Sequence, residues 1–404
     1  MKIPPYRCAL DEMNRMNELY DVIVVGAGPS GCIASYTATK LGLNVLLIEK
    51  EKIPRYKPCA GGLTPKSVEF LKKRNLFNGE LVERECFKIK VFIGDKNIVQ
   101  SFGKPIVTTV ERSRFDAYLV EKAVESGCML AENERVKGLR IYDGGVKVAT
   151  NRGKIFCSKL IIGADGVNSS VAKLSGLRER WRPNEVLLAF ETTLPRKVFN
   201  PDLDDTAVEV YFNHTYTGYG WVFPKGNSIS LGLAGWLPRF PHPRRQFQYF
   251  LSSLPHPLPT LNIRFNAHLI PLRINWSNPS IYTDHVLLCG DAAGFVDPWT
   301  GEGIYYAMLS GEIAANTVKE SIEEEKYGRD FLHRYWLSCK KRFGDNLKAG
   351  LLFSRIFYNN LSLSLRLLEK DPKIRQYLLP LTSGEMSYRK LLVKCIYRMF
   401  ASIL

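Results

Sequence analysis

The first clear pattern in the chain is an unbroken apolar run, Val22-Ile23-Val24-Val25, entered through Asp21. A strand without polar alternation is what a parallel sheet buried on both faces requires, so 21–25 is expected to be a central strand. A glycine-rich turn follows. From Ser30 onward Ile33, Ala34, Ala38 and Leu41 recur at helical spacing, Gly42 stops the helix, and 43–48 is apolar again and ends at Glu49. That is one βαβ unit. Two later apolar runs, 159–163 and 285–289, each end in an acidic turn, Gly163-Ala164-Asp165-Gly166 and Gly290-Asp291-Ala292-Ala293. The parallel sheet they predict is discontinuous along the chain. Between them, the β-rich segments 206–212, 220–223 and 228–234 are punctuated by Pro and Gly and predict an inserted antiparallel sheet. Beyond Gly303 the pattern is helical almost to the end, broken at Pro372 and Pro380.

These elements predict an α/β protein with a Rossmann-like nucleotide domain, an inserted antiparallel β-sheet substrate domain and a helical C-terminal region. The expected boundaries are an arm at 1–20; a discontinuous nucleotide domain at 21–85, 105–185 and 281–340; the sheet domain at 86–104 and 186–280; and helices at 341–404. A chain of 404 residues suits two or three cooperating lobes. With 45% hydrophobic and 24% charged residues it reads as an ordinary folded globule rather than a disordered or fibrous chain.

Charge narrows the partners. Lys plus Arg number 56 and Asp plus Glu 40, a net +16 that favours an anionic substrate, a membrane surface or nucleic acid. The nine cysteines are dispersed with no C-x-x-C pair, as expected of reduced thiols in a cytoplasmic enzyme. The six histidines show no metal-ligand spacing, so no metal is expected. No apolar run is long enough to span a bilayer, and the first twenty residues lack the apolar core of a secretory signal. At the other end Lys390, Lys394 and Arg398 recur on one side of a helix, with Leu392, Cys395, Ile396, Met399 and Ile403 on another. Such a basic amphipathic segment suits an anionic bilayer surface, and would look similar if it merely packed on its own core.

The sharpest chemical signal is Gly26-Ala27-Gly28-Pro29-Ser30-Gly31, a G-x-G-x-x-G between strand and helix. Gly26 permits the turn, Gly28 admits a pyrophosphate to the backbone, and Gly31 lets helix and strand pack closely. Glu49, eighteen residues after Gly31, ends the second strand, where a carboxylate can accept from a ribose. A second constellation, Gly290-Asp291 with Pro298, Gly301, Glu302 and Gly303 before a helix, offers an acid for a ribityl hydroxyl and backbone N–H groups for phosphate or a flavin carbonyl. Together the two suggest FAD, with NAD left open by spacing alone. Tyr219, Trp221 and Phe223, two residues apart on a strand, share one face and form either a cavity wall for an apolar chain or sheet core. Cys59 lies in a Pro-flanked glycine-rich loop with Arg55 and Lys57 beside it, either a thiol that approaches the flavin or substrate and affects turnover, or an inert small residue.

These residues resemble a known family. The glycine motif, Ala164-Asp165-Gly166 and Gly290-Asp291-Ala292-Ala293-Gly294 look like the three fingerprints of the p-hydroxybenzoate-hydroxylase-like flavoproteins. Within that superfamily Lys57-Pro58-Cys59-Ala60-Gly61-Gly62, Tyr219-Gly220-Trp221-Val222-Phe223-Pro224 and Asp297-Pro298-Trp299-Thr300-Gly301-Glu302-Gly303 resemble the geranylgeranyl reductases, in the family's order over roughly residues 20–340. The resemblance implies an oxidoreductase that uses FAD to saturate double bonds of geranylgeranyl diphosphate or geranylgeranylated lipids, as in archaeal-type membrane lipid biosynthesis. It would act at the cytoplasmic face, peripheral to the membrane.

Carried over residue by residue, the resemblance implies a cofactor set of Gly26, Gly28, Pro29, Ser30, Gly31, Glu49, Lys50, Cys59, Ala60, Gly61, Arg114, Asp165, Gly166, Asp291, Gly301, Gly303 and Ile304. Cys59, Tyr219 and Trp221 are its catalytic candidates, and Tyr219, Trp221, Phe223 and Pro298 its substrate side. Two departures bear on chain-length and head-group preference. After the seven residues 225–231 the family has G-x-G where this chain has Gly232-Leu233-Ala234, and Ala60 stands where many relatives have glycine. No second G-x-G-x-x-G marks an NADPH site, so electrons come either from NAD(P)H or from an external carrier such as a ferredoxin. The alternatives are an FAD-dependent aromatic hydroxylase of the same superfamily and, outside enzymes, a flavin-bearing protein that binds nucleic acid through its basic surface.

Overall fold

A computed structural model describes residues 19–199, 203–212, 214–215, 217–255, 258, 263–273, 275–277 and 279–401. The expected arm at 1–20, Cys8, His256 and Ile403 fall outside that range, save that residues 19 and 20 already belong to the first strand; the side chain of Met399 is likewise outside it.

Strand β1 (Leu19–Val25), helix α1 (Pro29–Lys40) and strand β2 (Val45–Ile48) form the βαβ unit. β1 lies between β2 and Ile155–Gly163, parallel to both, and Ile155–Gly163 is parallel in turn to Val286–Leu288. The three strands that lead into the glycine turn and the two acidic turns are therefore adjacent, and all three turns leave the same carboxyl edge of one sheet. Met129–Ala131 extends this sheet beyond β2, and the antiparallel pair Val136–Tyr142 and Gly145–Thr150 hangs on Ile155–Gly163.

Helix α1 is apolar and small-sided nearly all round, with Gly31, Cys32, Ala34, Ser35 and Ala38 buried. That composition admits a second helix very closely. Ile304–Glu323 crosses it so tightly that a Cβ on Gly311 would stand 2.2 Å from the Ser30 carbonyl oxygen.

The second sheet has seven strands in the order Asn266–Pro271, Val186–Pro195, Ser228–Trp236, Gly218–Pro224, Ala207–Phe212, Lys88–Ile93, Lys96–Ser101. All its pairings are antiparallel except Ala207–Phe212 with Lys88–Ile93, which is parallel because that strand arrives from the earlier part of the chain. Its alternation separates two faces. Val222, Leu231, Leu233, Phe247 and Phe250 form a core on one side, while Tyr219, Trp221 and Phe223 face the other. A small third sheet, Gly62–Leu63, Val107–Val110 and Val82–Cys86, joins the two larger ones.

The C-terminal part is helical from Ile304 on. Pro372 starts the helix Pro372–Gln376, as a proline at N1 does, but Pro380 sits inside Leu378–Ser383 and does not break it. The helix Tyr388–Ala401 packs inward through Tyr388, Leu391 and Cys395, and Arg398 pairs with Asp371 at 2.6 Å. Val393, Ile396 and Tyr397 are its outward apolar residues, whereas Leu392 is half-buried. Among the described residues no helix is long and apolar enough to cross a membrane.

Candidate functional site

A cavity of about 570 Å³ runs between the carboxyl edge of the parallel sheet, the free face of the seven-stranded sheet and the C-terminal helices. That is the size range of small-molecule and cofactor sites. At its first end Gly26, with φ +103°, turns the chain out of β1, and Gly31 packs against it so closely that a Cβ would lie 1.9 Å from the Gly26 oxygen. A Cβ on Gly28 would instead project into open cavity, 3.8 Å from the nearest atom, Arg55 Nη2. The backbone at Gly28 is thus exposed to whatever enters, at the N-terminus of α1.

Buried charge organises this end. Glu49 Oε2 accepts from the Ala27 N–H at 2.8 Å and Oε1 from the Glu51 N–H at 3.1 Å. Asp116, almost wholly buried, accepts from Arg112 Nε and Nη2, both at 2.9 Å, and from Arg55 Nη1 at 3.1 Å. Arg112 lines the cavity and lies against Cys59. Arg114, the expected cofactor arginine, does not line it: its side chain is 56% exposed and pairs with Glu83 at 2.9 Å. The physical reason is helical phase. On the helix Arg112–Glu125, position 112 shares its inward face with Asp116, and position 114 is turned roughly 200° away, so the i,i+4 pair was the sequence signal for the inward arginine.

Asp165 and Asp291 both line the cavity. Asp165 Oδ2 accepts from the Ser170 and Val171 N–H groups, and its buried Oδ1 has no protein partner. Burial raises the pKa of both carboxyls, opposed at Asp291 by Lys57 and Arg112. A buried acceptor left open beside a sheet edge is what a ligand hydroxyl satisfies. Further on, Gly301 (φ +70°) and Gly303 line the wall, and cavity-lining Glu302 is held by Lys66 at 2.6 Å and by the Thr64 and Ser67 hydroxyls. Burial raises the Glu302 pKa, with Lys66 opposing.

Of the residues expected to hold a cofactor, Gly26, Gly28, Pro29, Ser30, Glu49, Lys50, Cys59, Ala60, Asp165, Gly166, Asp291, Gly301, Gly303 and Ile304 line the cavity; Gly31, Gly61 and Arg114 do not. Gly61 serves the turn instead: it has φ +73°, and a Cβ there would meet the Val110 oxygen at 2.1 Å. The open backbone at Gly28, the unpartnered Asp165 Oδ1 and the room beside Gly166, where nothing lies within 4 Å of a built Cβ, fit a dinucleotide.

Tyr219, Trp221, Phe223 and Pro298 line the next stretch. The Tyr219 hydroxyl donates to the Thr300 carbonyl, which ties the sheet to the Gly301 turn. Trp221 Nε1 donates to Ser230 Oγ at 3.3 Å, Ser230 to Glu191 at 3.2 Å, and Tyr56 to the same carboxylate at 2.7 Å. The indole lies against Gly232, where a Cβ would be 2.0 Å from the ring.

The loop bearing Cys59 is strapped to the sheet by that Tyr56 bond and by Lys57 Nζ, which donates to His268 Nε2 at 2.8 Å. Burial, then Lys57, pushes the His268 imidazole down to about 3. Arg55 and Lys57, expected beside the Cys59 thiol, are thus engaged with Asp116 and His268. None of Tyr56, Glu191 and His268 stood out in the sequence, because their meeting depends on strand pairing across more than a hundred residues.

A model of the FAD binding domain family matches residues 19–229. A protein named digeranylgeranylglycerophospholipid reductase from Methanococcus vannielii is 32% identical over 365 residues, covering 85% of this chain and 88% of that protein. Among solved structures, a geranylgeranyl bacteriochlorophyll reductase-like protein from Thermoplasma acidophilum superposes with a TM-score of 0.75 at 24% identity, covering 94% of this chain and 96% of that one. The flavin-dependent brominase Bmp2 shares the fold at TM-score 0.70 and 18% identity, covering 96% of this chain and 100% of that one. The fold alone therefore does not decide the chemistry.

Proposed function

The chain belongs to the FAD-binding-domain flavoproteins and, within them, to the digeranylgeranylglycerophospholipid reductase family, and from that premise we propose that it saturates the geranylgeranyl chains of a phosphate-bearing glycerol lipid. The observation that carries the reading is the apolar wall. Alternate residues of the seven-stranded sheet, Tyr219, Trp221 and Phe223 among them, line one cavity continuous with the dinucleotide cradle at Gly28. An unconjugated isoprenoid chain offers nothing to hydrogen-bond, so only such a wall can hold it.

In this reading Gly26, Gly28, Ser30, Glu49, Asp165 and Asp291 hold FAD, and Gly301, Gly303 and Ile304 flank its ring. When bound and reduced, FAD supplies the hydride that an alkene needs. The protein's part is geometry and dryness. Trp221, pinned through Ser230 and Glu191, and Tyr219, pinned to Thr300, orient the chain and exclude water. Burial, with Asp297 and Glu302 nearby, raises the Tyr219 pKa, so its hydroxyl keeps its proton on the Thr300 carbonyl and serves positioning. Cys59 Sγ stands in the wall beside Arg112, and its contact with flavin or substrate affects turnover. Replacement by Ser is expected to lower kcat about tenfold, and unchanged reduction kinetics would remove that role.

Docking is peripheral. Exposed Leu352, Ile356 and Leu363 stand on the helices Asp345–Asn359 and Leu361–Lys370, and Val393, Ile396 and Tyr397 on Tyr388–Ala401. Residues 345–398 carry ten Lys and Arg against four Asp and Glu, a net +6. Apolar side chains amid basic ones match an anionic lipid surface. The deciding experiment is mass spectrometry of digeranylgeranylglycerol phosphate incubated with the dithionite-reduced protein. Gain of two hydrogens per double bond is expected, and recovery of unchanged lipid with flavin-loaded protein would refute the function.

A further inference from the structure

The cavity contains two kinds of arginine. Near the dinucleotide cradle Arg55 is paired with Glu49 and Asp116 and Arg112 with Asp116, while Arg135, exposed at that end, makes no ion pair among the described residues. At the opposite end, among the C-terminal helices, Arg239, Arg355 and Arg375 also line it, and none of the three is in an ion pair among the described residues. Arg239 Nη1 donates to Asn359 Oδ1 at 3.0 Å. Asn359 lies one helical turn beyond Arg355, so Arg239, Arg355 and Asn359 converge on one patch of wall. On Arg375, Nη1 holds the Leu368 and Glu369 carbonyls at 2.6 and 2.9 Å, and its buried Nε has no partner. Arg239, Arg355 and Asn359 are exposed at the rim of the cavity and solvated there, and their remaining donors are open to an incoming anion; guanidinium forks match the oxygens of phosphate.

The wall between the two ends fixes the polarity. Arg355 is three residues, one turn, before Tyr358, and both face the cavity. Tyr358 neighbours Tyr219, whose hydroxyl lies 3.5 Å from where a Cβ on Gly301 would be. From the arginines inward the lining is therefore Tyr358, Tyr219, then the glycine turn.

We propose that Arg239, Arg355 and Asn359 form a phosphate site at the cavity mouth that seats the substrate's anionic head while its apolar chain runs past Tyr358 and Tyr219. The inference rests on the reductase reading and adds the residues that select the head group. The phosphate is shared by two sources, the head of a glycerol phospholipid and the diphosphate of a free prenyl alcohol. The site also places the head beside exposed Leu352 and Ile356, at the surface where lipid would be met.

The test compares the flavin-loaded protein with the double variant Arg239→Gln/Arg355→Gln on three probes in detergent: digeranylgeranylglycerol phosphate, geranylgeranyl diphosphate and phosphate-free digeranylgeranylglycerol. The ratio of KM for a phosphorylated probe to KM for the neutral one is expected to rise tenfold or more in the variant, and inorganic pyrophosphate should inhibit the parent competitively and the variant at least tenfold less. A ratio raised only for the glycerol phosphate identifies the lipid head, only for the diphosphate the free prenyl source, and for both a general phosphate site. An unchanged ratio, or an equal rise in KM on all three probes, overturns the phosphate site while the reductase reading stands. If the parent reduces none of the three, the reductase reading itself fails; parent protection by pyrophosphate against thermal unfolding, absent in the variant, would still support the site.

Discussion

Gly232 and Asp116 show how single residues hold this cavity in shape. Gly232 has ordinary backbone space but no room for a methyl, because Trp221 lies on it. Gly232→Ala should lift the indole off the wall and lower kcat/KM at least tenfold, roughly 1.4 kcal/mol of transition-state binding, with flavin content intact. Steady-state kinetics with tryptophan fluorescence reports both. Two positions on, Ala234 packs with Ala189 and Trp221, so the methyl that replaces the family's second glycine occupies wall beside the indole. Asp116 pairs with two arginines, Arg55 and Arg112, in a nearly dry site where Glu49 supplies the second negative charge. Asp116→Asn leaves Arg112 buried without a counter-charge, an expected loss of roughly 3 to 5 kcal/mol in denaturant unfolding. The fingerprint glycines were legible because their need is local. The inward arginine is Arg112 and not Arg114, two positions on, because a motif gives no helical phase unless its i,i+4 partner, here Asp116, is read with it.

At the scale of elements, the loop 53–62 joins nucleotide cradle to substrate sheet through Tyr56–Glu191 and Lys57–His268. His268 is held neutral by burial and by Lys57, with its folded pKa near 3 against an unfolded value of 6.5. A basic group with a depressed folded pKa contributes stability that is full above the unfolded value and lost as pH falls toward the folded one. Between pH 6.5 and 3 the unfolded chain takes up a proton that the native state refuses, a slope approaching about 1.4 kcal/mol per pH unit. Tm should therefore fall less steeply from pH 7 to 5 in His268→Gln than in the parent; parallel curves would show that the strap does not titrate. The helix Tyr388–Ala401 is likewise structural as well as basic. Tyr388 donates to Asp297 at 2.6 Å, so deleting the helix would disturb the Asp297–Gly303 turn. Val393→Ser with Tyr397→Ser leaves that anchor in place and should reduce flotation with anionic vesicles; unaltered flotation would exclude this helix as the docking face.

The whole molecule carries +16, and its C-terminal 345–398 contributes +6 of it while enclosing the mouth of the cavity. Binding to anionic vesicles should weaken steeply as salt rises from 0.05 to about 0.5 M, where the Debye length drops below roughly 5 Å; salt-independent binding would assign the contact to apolar insertion alone. By itself the sequence determined the βαβ unit, the three fingerprint turns, the shared face of Tyr219, Trp221 and Phe223, and the family, because each depends on residues close in the chain and on a strand period of two or a helix period near 3.6. Only the tertiary structure decided that Arg112 rather than Arg114 faces the cavity, that Lys57 meets His268, and that Arg239 and Arg355 stand unpaired at its mouth. Those meetings are between side chains that strand pairing and helix packing bring together from distant parts of the chain, and no local pattern records them.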